Sequence, residues 1–339
     1  MIDFRQLVPA ARGFVGRREV FVAVEAFRAA NAGGYFEIVA DAGLGKTALA
    51  VEIAQRYEAL ELFAGAGSRL TRPERFLTHL SGALIARYAL PYDRLPAGAA
   101  EDSTFLSRLL VEAAAKAGGP VWIVVHALDE SETQPPGANP LLLPTHLPAS
   151  VFFVVTHRPS SRVFTQPDTP RARYELRADA PQQEADIEEY LRQRATTDGA
   201  IKSALARTRP AIATETFVDR LVAASRGNFM YLSFVLGDIE AHDIDKSPLD
   251  LDHLPDTLRG YYEQFWPHME QTRETAGWAD WKTLYRATIE RLAVAAEPVN
   301  ADWIRAQFDR DRDEVRERVL LPWARLLSAR SWAGACVRT

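Results

Sequence analysis

The chain is poor in the features that would place it outside the ordinary globular proteins. It has one cysteine, Cys336, in 339 residues, so neither a disulfide framework nor a cysteine-rich metal site can form within one chain. No uninterrupted apolar run approaches the ~20 residues that a transmembrane helix needs. The first residues carry charges where a secretory signal would be apolar. We therefore expect a cytoplasmic protein that has no membrane partner.

The chain also has no large excess of charge of one sign. Its formal net charge is −5, which argues against a dedicated nucleic-acid binder but does not exclude one basic face. Hydrophobic residues make up 47% and charged residues 25%, as in ordinary globular proteins. At roughly 150 residues for each domain, the length predicts two or three domains.

The most informative segment is Tyr35–Thr47, in which an apolar run ends in a glycine-bearing loop followed by Lys46 and Thr47. Helical periodicity follows, and the order of strand, loop and helix is typical of a G-x-x-x-x-G-K-[ST] phosphate-binding loop. Main-chain amides and the helix N-terminus would surround a β-phosphate. Lys46 would reach the β- and γ-oxygens, and the Thr47 hydroxyl would bind Mg²⁺. A helix-capping turn with an accidental match is the weaker interpretation.

Two segments supply the predicted nucleotide-binding residues: the turn Val15–Arg17 and the loop Ala40–Ala48. The first motif position is Ala40 instead of glycine, which is tolerable if its φ is negative. The turn before the first helix would hold the adenine edge with backbone groups, although a surface turn explains that signal equally well. The predicted nucleotide-binding residues are Val15, Gly16, Arg17, Ala40, Asp41, Ala42, Gly43, Leu44, Gly45, Lys46, Thr47 and Ala48.

Acidic residues follow another apolar run, Val121–Val125. We predict catalytic roles for Asp129 and Glu130 and a metal-binding role for Asp129, because carboxylates at strand ends can hold Mg²⁺ and orient a water molecule. His126 occupies the position directly after the run, and a neutral imidazole brings no negative charge to a metal. A carboxylate ~4 Å from the ion would contribute several kcal/mol. We therefore expect weak Mg²⁺ affinity or slow hydrolysis, unless Asp129 shifts inward. An exposed acidic turn is the alternative.

Arg158 follows a further apolar run, Val151–Val155. In a parallel sheet the ligand lies at the carboxyl ends of the strands, so Arg158 would lie beside the γ-phosphate. A cation there can sense whether that phosphate is present, and we predict a catalytic role for it. The alternative is a surface arginine in a loop before Pro159.

Alternating strand and helix patterns predict an α/β domain with a parallel sheet and flanking helices, extending to about residue 180. The rest of the chain reads as helical. The predicted strands are roughly 35–40, Leu60–Ala64, Val121–Val125, Val151–Val155 and Arg173–Arg177. Pro73 and Ser103 are expected to begin two helices of the α/β domain. Beyond residue 180, helices are predicted at roughly 184–195, 214–225, 228–241, 256–268, 280–295, 301–308 and 312–328.

Taken in order, these motifs resemble the STAND class of P-loop NTPases, in its NACHT-like bacterial branch. The matching segments are FVGRRE (Phe14–Glu19), the Walker A-like ADAGLGKT (Ala40–Thr47), FAGAGSRLTRPERFLTHLSGALIARY (Phe63–Tyr88), the Walker B-like HALDE (His126–Glu130), the sensor 1-like THRP (Thr156–Pro159), DIEEYL (Asp186–Leu191), SRGNFMYLSFVLGDIE (Ser225–Glu240) and LPDTLRGYYEQFW (Leu254–Trp266). The resemblance implies ATP or ADP with Mg²⁺ as ligands. It also implies a switch that ADP closes and ATP opens for homo-oligomerisation. Relatives act in anti-phage defence, programmed cell death and signal-dependent regulation.

The resemblance also implies a domain order. We expect a leader at 1–13, a nucleotide-binding domain at 14–180, a helical lid at 181–250 and an incomplete winged-helix domain at 251–339. The leader leaves no room for an effector domain, and the sequence after Trp323 stops where wings and a repeat sensor would follow. Two interpretations fit this domain order. The protein could be a short form that works with a separate effector or sensor protein, or the reading frame could be truncated.

Two other functional classes remain open. A P-loop domain followed by a winged helix also fits a DNA-binding initiator ATPase, in which arginines of 312–328 would face phosphates. Acidic residues alternate with those arginines, so a solvated helix with i,i+4 ion pairs is the better interpretation. The third class is a degenerate scaffold that binds no nucleotide, with tryptophans such as Trp266 and Trp278 at an interaction surface. The sequence leaves hydrolysis, the activating signal, the effector and the oligomeric state open.

Overall fold

The computed structural model describes residues 13–64, 69–132, 139–159, 169–208, 210–241, 260, 287–294, 299–300, 303, 306, 328–330 and 336–338. The chain divides into two compact units, Met1–Leu258 and Arg259–Thr339. The first unit contains an α/β part and the helices that follow it, and all of the predicted site residues lie in this unit.

The core of the first unit is a five-stranded parallel sheet, as the alternating pattern predicts. Its strands are β1 (Gly34–Ala40), β2 (Leu60–Phe63), β3 (Val121–His126), β4 (Val151–His157) and β5 (Arg171–Leu176). The order across the sheet is β2-β3-β4-β1-β5. The strand that precedes the glycine loop therefore lies between β4 and β5, so the loop emerges inside the sheet and not at its rim.

Burial explains why these segments form strands. Every residue of β1, β3 and β4 is buried, as expected for parallel strands covered on both faces. Strand β5 alternates between exposed and half-buried positions, which fits its place at the edge of the sheet. Glu37 is a buried charge within β1, and its carboxylate accepts from His157 on β4 and pairs with Arg171 on β5. The segment that the sequence analysis described as an apolar run therefore contains a polar cluster.

Four helices accompany the sheet. They are α1 (Arg18–Ala30), α2 (Lys46–Arg56), α3 (Pro73–Tyr88) and α4 (Thr104–Lys116). Side chains of α1 and α2 share one apolar cluster with one face of the sheet, and those of α3 and α4 share a second cluster with the other face. Ser103 stands at the N-cap of α4 but its side chain makes no capping bond; Asp102 Oδ1 accepts from the Thr104 amide instead, at 2.7 Å.

Four further helices form what we call the lid. They are α5 (Pro181–Thr197), α6 (Gly199–Arg207), α7 (Thr214–Ser225) and α8 (Phe229–Ala241). Sequence periodicity missed α6, which starts directly after α5. Asp198 separates the two helices and caps α6, because its carboxylate accepts from the amides of Ala200 and Ile201. No helix in the described part of the chain is both long enough and apolar enough to cross a membrane.

Within its described residues, the second unit has α9 (Ala287–Val294) and three short strands, β6 (Val299–Asn300), β7 (Ser328–Arg330) and β8 (Cys336–Arg338). They form an antiparallel sheet in the order β6-β8-β7. The prediction that everything after residue 180 is helical was therefore wrong, because strands this short carry too few residues to show a period of two. The predicted helices at 256–268, 301–308 and 312–328 lie almost wholly outside the described residues.

Candidate functional site

A cavity of about 370 Å³ opens at the carboxyl ends of the central strands. Its wall combines the glycine loop, the ends of β3 and β4, the turn before α1 and the lid. This is the position where ligands bind in open α/β sheets, beside the point at which the strand order reverses. The lining residues are Gly13, Phe14, Val15, Arg17, Ala42, Gly43, Gly45, Lys46, Thr47, Ala48, His126, Ala127, Asp129, Glu130, Arg158, Tyr190, Phe229, Met230 and Ser233.

The glycine loop takes the backbone conformation that its sequence allows. Gly43 and Gly45 have φ values of 83° and 88°, a region that glycine enters without the penalty a Cβ brings. Helix α2 starts at Lys46 directly after them, so its first turn, whose amides have no partner within the helix, belongs to the cavity wall. Ala40 is the last residue of β1 and does not have a positive φ. Alanine at the first motif position is therefore compatible with the loop.

Lys46 closes the loop from the helix side. Its ammonium donates to the Ala40 carbonyl at 2.6 Å and to the Asp41 carbonyl at 2.8 Å. Burial lowers the pKa of Lys46, and the nearby carboxylate of Asp129 opposes that shift while Arg158 adds to it. The ammonium is therefore held inside a cavity where a further anion would be favourable.

His126 forms a hydrogen-bonded chain across three elements. Its Nε2 lies 3.0 Å from Thr47 Oγ1 on α2, and its Nδ1 lies 2.6 Å from Thr156 Oγ1 on β4. His126 is 6% exposed, and burial followed by the charge of Lys46 lowers the pKa of His126 to about 3. The imidazole is therefore neutral at physiological pH, as the sequence analysis assumed.

Asp129 and Arg158 meet at the mouth of the cavity. Arg158 Nε lies 3.4 Å from Asp129 Oδ2, and the Asp129 side chain is 11% exposed. Just before Arg158, His157 places its ring between Glu37 Oε2 and the Arg158 carbonyl. These two contacts of the His157 ring hold the backbone at Arg158 in place. The structure brings the three predicted catalytic residues together, since Glu130 also lines the cavity.

The start of α8 contacts the glycine loop directly. The amides of Phe229 and Met230 donate to the Gly43 carbonyl at 2.9 and 3.3 Å. The Asn228 side chain donates to the Ala42 carbonyl at 3.4 Å across a separation of 186 residues. The lid therefore contacts the loop through main-chain bonds, which hold the loop against the helix whatever side chains surround them.

Arg17 joins the entry turn, the loop and the lid. Its guanidinium donates to the Leu44 carbonyl at 2.6 Å and to the Gln183 side chain, and it lies over the Phe229 ring. Its amide donates to both carboxylate oxygens of Asp186 at 3.1 Å. Burial raises the pKa of Asp186 and lowers the pKa of Arg17, and the attraction between them opposes both shifts. Desolvation thus outweighs pairing in this buried contact.

Gly16 explains why the turn before α1 needs a glycine. Its φ is 74°, and a Cβ there would approach Asp186 Oδ1 to 2.0 Å. Gly16 therefore permits the contact between the entry turn and the lid, a reason that the sequence alone did not reveal.

Most of the predicted binding residues line the cavity, and four do not. Gly16, Ala40, Asp41 and Leu44 are absent from its wall. They act through the backbone, for example through the carbonyls that bind Lys46 and Arg17. Sequence reasoning did not assign site roles to the lid residues Tyr190, Phe229, Met230 and Ser233. The family resemblance singled out the segments that contain them, but nothing in their spacing placed them at the loop.

No family model matches the chain, and no curated protein matches it. Among solved structures, it is similar to a Signal Transduction ATPase with Numerous Domains (STAND) protein with a tetratricopeptide repeat sensor from Pyrococcus horikoshii, at 16% identity and a TM-score of 0.50. The match covers 96% of this chain and 41% of that one. This chain therefore spans about two-fifths of that protein's length.

Two further solved structures are less similar to this chain. One is Drosophila ORC bound to DNA, at 13% identity and a TM-score of 0.38, covering 99% of this chain and 93% of that one. The other is the RuvB Holliday junction branch migration motor of Thermotoga maritima, at 14% identity and a TM-score of 0.30, covering 96% and 92%. At these identities the comparisons show the fold alone. The chain has the P-loop NTPase fold, a five-stranded parallel sheet with flanking helices, as predicted.

Proposed function

We propose that this chain is an adenine-nucleotide-dependent switch of the STAND type, in which nucleotide binding and lid docking depend on each other. The observation that carries the proposal is the pair of amides, Phe229 and Met230, that donate to Gly43 in the glycine loop. The same residues line the cavity. A ligand in the cavity would therefore contact both the loop and the docked lid.

The residues that line the cavity fit a nucleotide. Its volume of about 370 Å³ falls in the range of small-molecule sites. The wall contains the glycine loop, the start of α2 and Lys46, which are suited to a polyphosphate. It also contains apolar and aromatic side chains that would enclose a base, including Phe14, Tyr190 and Phe229.

Magnesium fits the donor set less well than the nucleotide does. The hydroxyl of Thr47 is bonded to a neutral imidazole, and Asp129 is paired with Arg158. Mg²⁺ prefers oxygen ligands in a near-octahedral arrangement and is usually bound through one or two carboxylates plus phosphates. The position next to Thr47 offers nitrogen instead of a carboxylate. We therefore expect slow or absent hydrolysis from this donor set.

A switch needs a ligand that interacts differently with two conformations. In the docked conformation the lid contributes side chains to the cavity wall, and Arg17 links the entry turn to Asp186 and Gln183 of the lid. A nucleotide that contacts these side chains would favour docking. Arg158 at the mouth would report the γ-phosphate, because its guanidinium lies at the same end of the sheet as Lys46.

The more specific features that the family resemblance implies remain predictions. They are the NACHT-like branch, ADP as the closing nucleotide, homo-oligomerisation, a separate effector or sensor protein, a role in defence and a cytoplasmic location. The order of α9, β6 and the β7–β8 ladder supports a winged-helix-like second unit. The arginine-bearing segment 312–328, on which the DNA-binding alternative depends, lies outside the described residues.

Calorimetry with ADP and with ATP tests the proposal. We expect both to bind the full chain, and we expect Lys46→Ala to weaken binding at least about a hundredfold, since a charge-assisted contact to phosphate contributes roughly 3 kcal/mol. Lys202→Ala is the matched control, because Lys202 is an exposed lysine on α6 away from the cavity.

The control variant should bind as the wild type does. If neither nucleotide binds the wild-type chain, the scaffold interpretation replaces the switch. If Lys46→Ala binds as tightly as Lys202→Ala, the nucleotide lies somewhere other than the glycine loop.

A further inference from the structure

The hydroxyl of Thr156 determines how His126 is protonated. Thr156 is fully buried, and its Oγ1 accepts a hydrogen bond from the Ala127 amide at 3.1 Å. The same oxygen lies 2.6 Å from His126 Nδ1. A threonine hydroxyl has one hydrogen to donate and two lone pairs to accept with. One lone pair is already used by Ala127.

Hydrogen-bond accounting then favours one tautomer of His126. If Thr156 donates its hydrogen to Nδ1, the hydroxyl is satisfied in both directions and Nε2 carries the ring proton. In the other tautomer Nδ1–H would be a second donor to Thr156, whose own hydrogen would have no acceptor among the described hydrogen bonds. A buried polar group that makes no hydrogen bond costs stability. His126 therefore carries its proton on Nε2.

The consequence falls on Thr47, whose Oγ1 lies 3.0 Å from that nitrogen. With Nε2–H as the donor, Thr47 accepts from the imidazole. Its own hydrogen is then directed away from His126 and is available to a phosphate oxygen. A carboxylate at position 126 would do the reverse: it would accept the Thr47 hydrogen and leave the oxygen lone pairs to a cation. The Thr47 hydroxyl is thus arranged to donate a hydrogen bond to a phosphate oxygen.

We propose that this site binds its adenine nucleotide as the metal-free polyphosphate, with Thr47 and Lys46 as direct phosphate partners. The inference rests on the proposed nucleotide-binding function and specifies the chemical form of the ligand. A divalent cation neutralises phosphate charge in other sites, and here Lys46, Arg158 and the start of α2 provide positive charge. Two carboxylates line the cavity, Asp129 and Glu130; Asp129 is paired with Arg158, which reduces its repulsion of the phosphates.

The test compares ADP affinity in EDTA with ADP affinity in excess Mg²⁺ for the full chain. We expect the two dissociation constants of the wild type to agree within about fivefold, which corresponds to about 1 kcal/mol. His126→Asp should bind metal-free ADP more weakly and gain a Mg²⁺ preference above that limit. His126→Asn is the matched control, because asparagine has the shape of aspartate without its charge. Its ADP dissociation constants in EDTA and in Mg²⁺ should also agree within about fivefold.

The outcomes separate the two proposals. Absence of ADP binding in both buffers contradicts the proposed function, and the inference falls with it. Wild-type binding that strengthens more than about fivefold with Mg²⁺ overturns the inference and leaves the function standing. The ratio of the wild-type ADP dissociation constants with and without Mg²⁺ tests the inference even if the aspartate variant does not fold. As an independent measurement, ¹⁵N NMR of labelled histidine should show the His126 proton on Nε2, and a proton on Nδ1 would overturn the assignment.

Discussion

At the scale of single residues, His126 makes the stability of the fold depend on pH. Burial and the charge of Lys46 lower its pKa to about 3 in the folded chain. A histidine in the unfolded chain titrates near 6.5. The unfolded state therefore binds the proton first as the pH falls. This contribution to stability is fully present above about pH 6.5 and is lost progressively between about pH 6.5 and pH 3.

Replacing His126 by asparagine should remove that pH dependence. Each pH unit in this window costs up to about 1.4 kcal/mol. Between pH 7.5 and pH 5, the wild type should therefore lose roughly 2 kcal/mol more unfolding free energy than His126→Asn. Urea denaturation at the two pH values measures the difference. His146→Asn, at an exposed position, should keep the wild-type dependence. Parallel losses in all three proteins would mean that the imidazole is not buried as described.

The sequence predicted these residues unevenly, for a physical reason. Lys46, Thr47 and Asp129 belong to local motifs, in which a few neighbouring residues determine both the backbone and the chemistry. The contact of Asn228 with Ala42 joins residues 186 positions apart. Nothing in the local sequence of α8 encodes that approach, because it depends on how the whole lid folds back. The roles of Gly16 and Thr156 were hidden for the same reason.

At the scale of elements, the docking of α8 depends on the turn before it. Gly227 has a φ of 81°, and its carbonyl accepts from the Gln183 side chain at 2.6 Å. A Cβ at this position would lie 2.2 Å from the Ala178 carbonyl oxygen, which belongs to the backbone and cannot rotate away. The turn can therefore bring α8 to the glycine loop only if residue 227 has no side chain.

Gly227→Ala should destabilise the chain. The positive φ alone costs roughly 1–2 kcal/mol for a residue with a Cβ, and the steric overlap adds to it. Gly237→Ala, within α8, is the matched control, because nothing lies within 4 Å of a Cβ there. Alanine inside a helix is favoured by up to about 1 kcal/mol over glycine, so the control should be neutral or stabilised. Unfolding free energies from urea titrations give both values, and equal effects would show that the turn is not constrained.

The elements themselves were predictable where they are long or fully apolar. Strands β1, β3 and β4 stand out because apolar runs such as Val121–Val125 can be buried on both faces. Helix α6 was missed because only Asp198 separates it from α5; Asp198 followed by Gly199 is the capping and turn signal that could have marked its start. The strands of the second unit were missed because a strand such as Val299–Asn300 is too short for any periodicity to be read.

At the scale of the whole first unit, a buried ion pair links the α/β part to the lid. The side chains of Arg17 and Asp186 are 6% and 9% exposed. Such a pair adds little net stability, because desolvation offsets the attraction, but separating its partners leaves buried charges without compensation. Lid docking should therefore be cooperative, since half-opened states would keep the charges buried and unpaired. A nucleotide bridging the loop and the lid would strengthen the same closed state.

Hydrogen–deuterium exchange at the start of α8, followed as ADP is added, tests the coupling of nucleotide and lid most directly. The amides of Phe229 and Met230 are bonded to Gly43 when the lid is docked. Their exchange should slow as ADP is added, at least about tenfold at saturation, with a midpoint at the calorimetric dissociation constant. Exchange that is unchanged at saturating ADP would contradict it, because nucleotide binding and lid docking would then be independent.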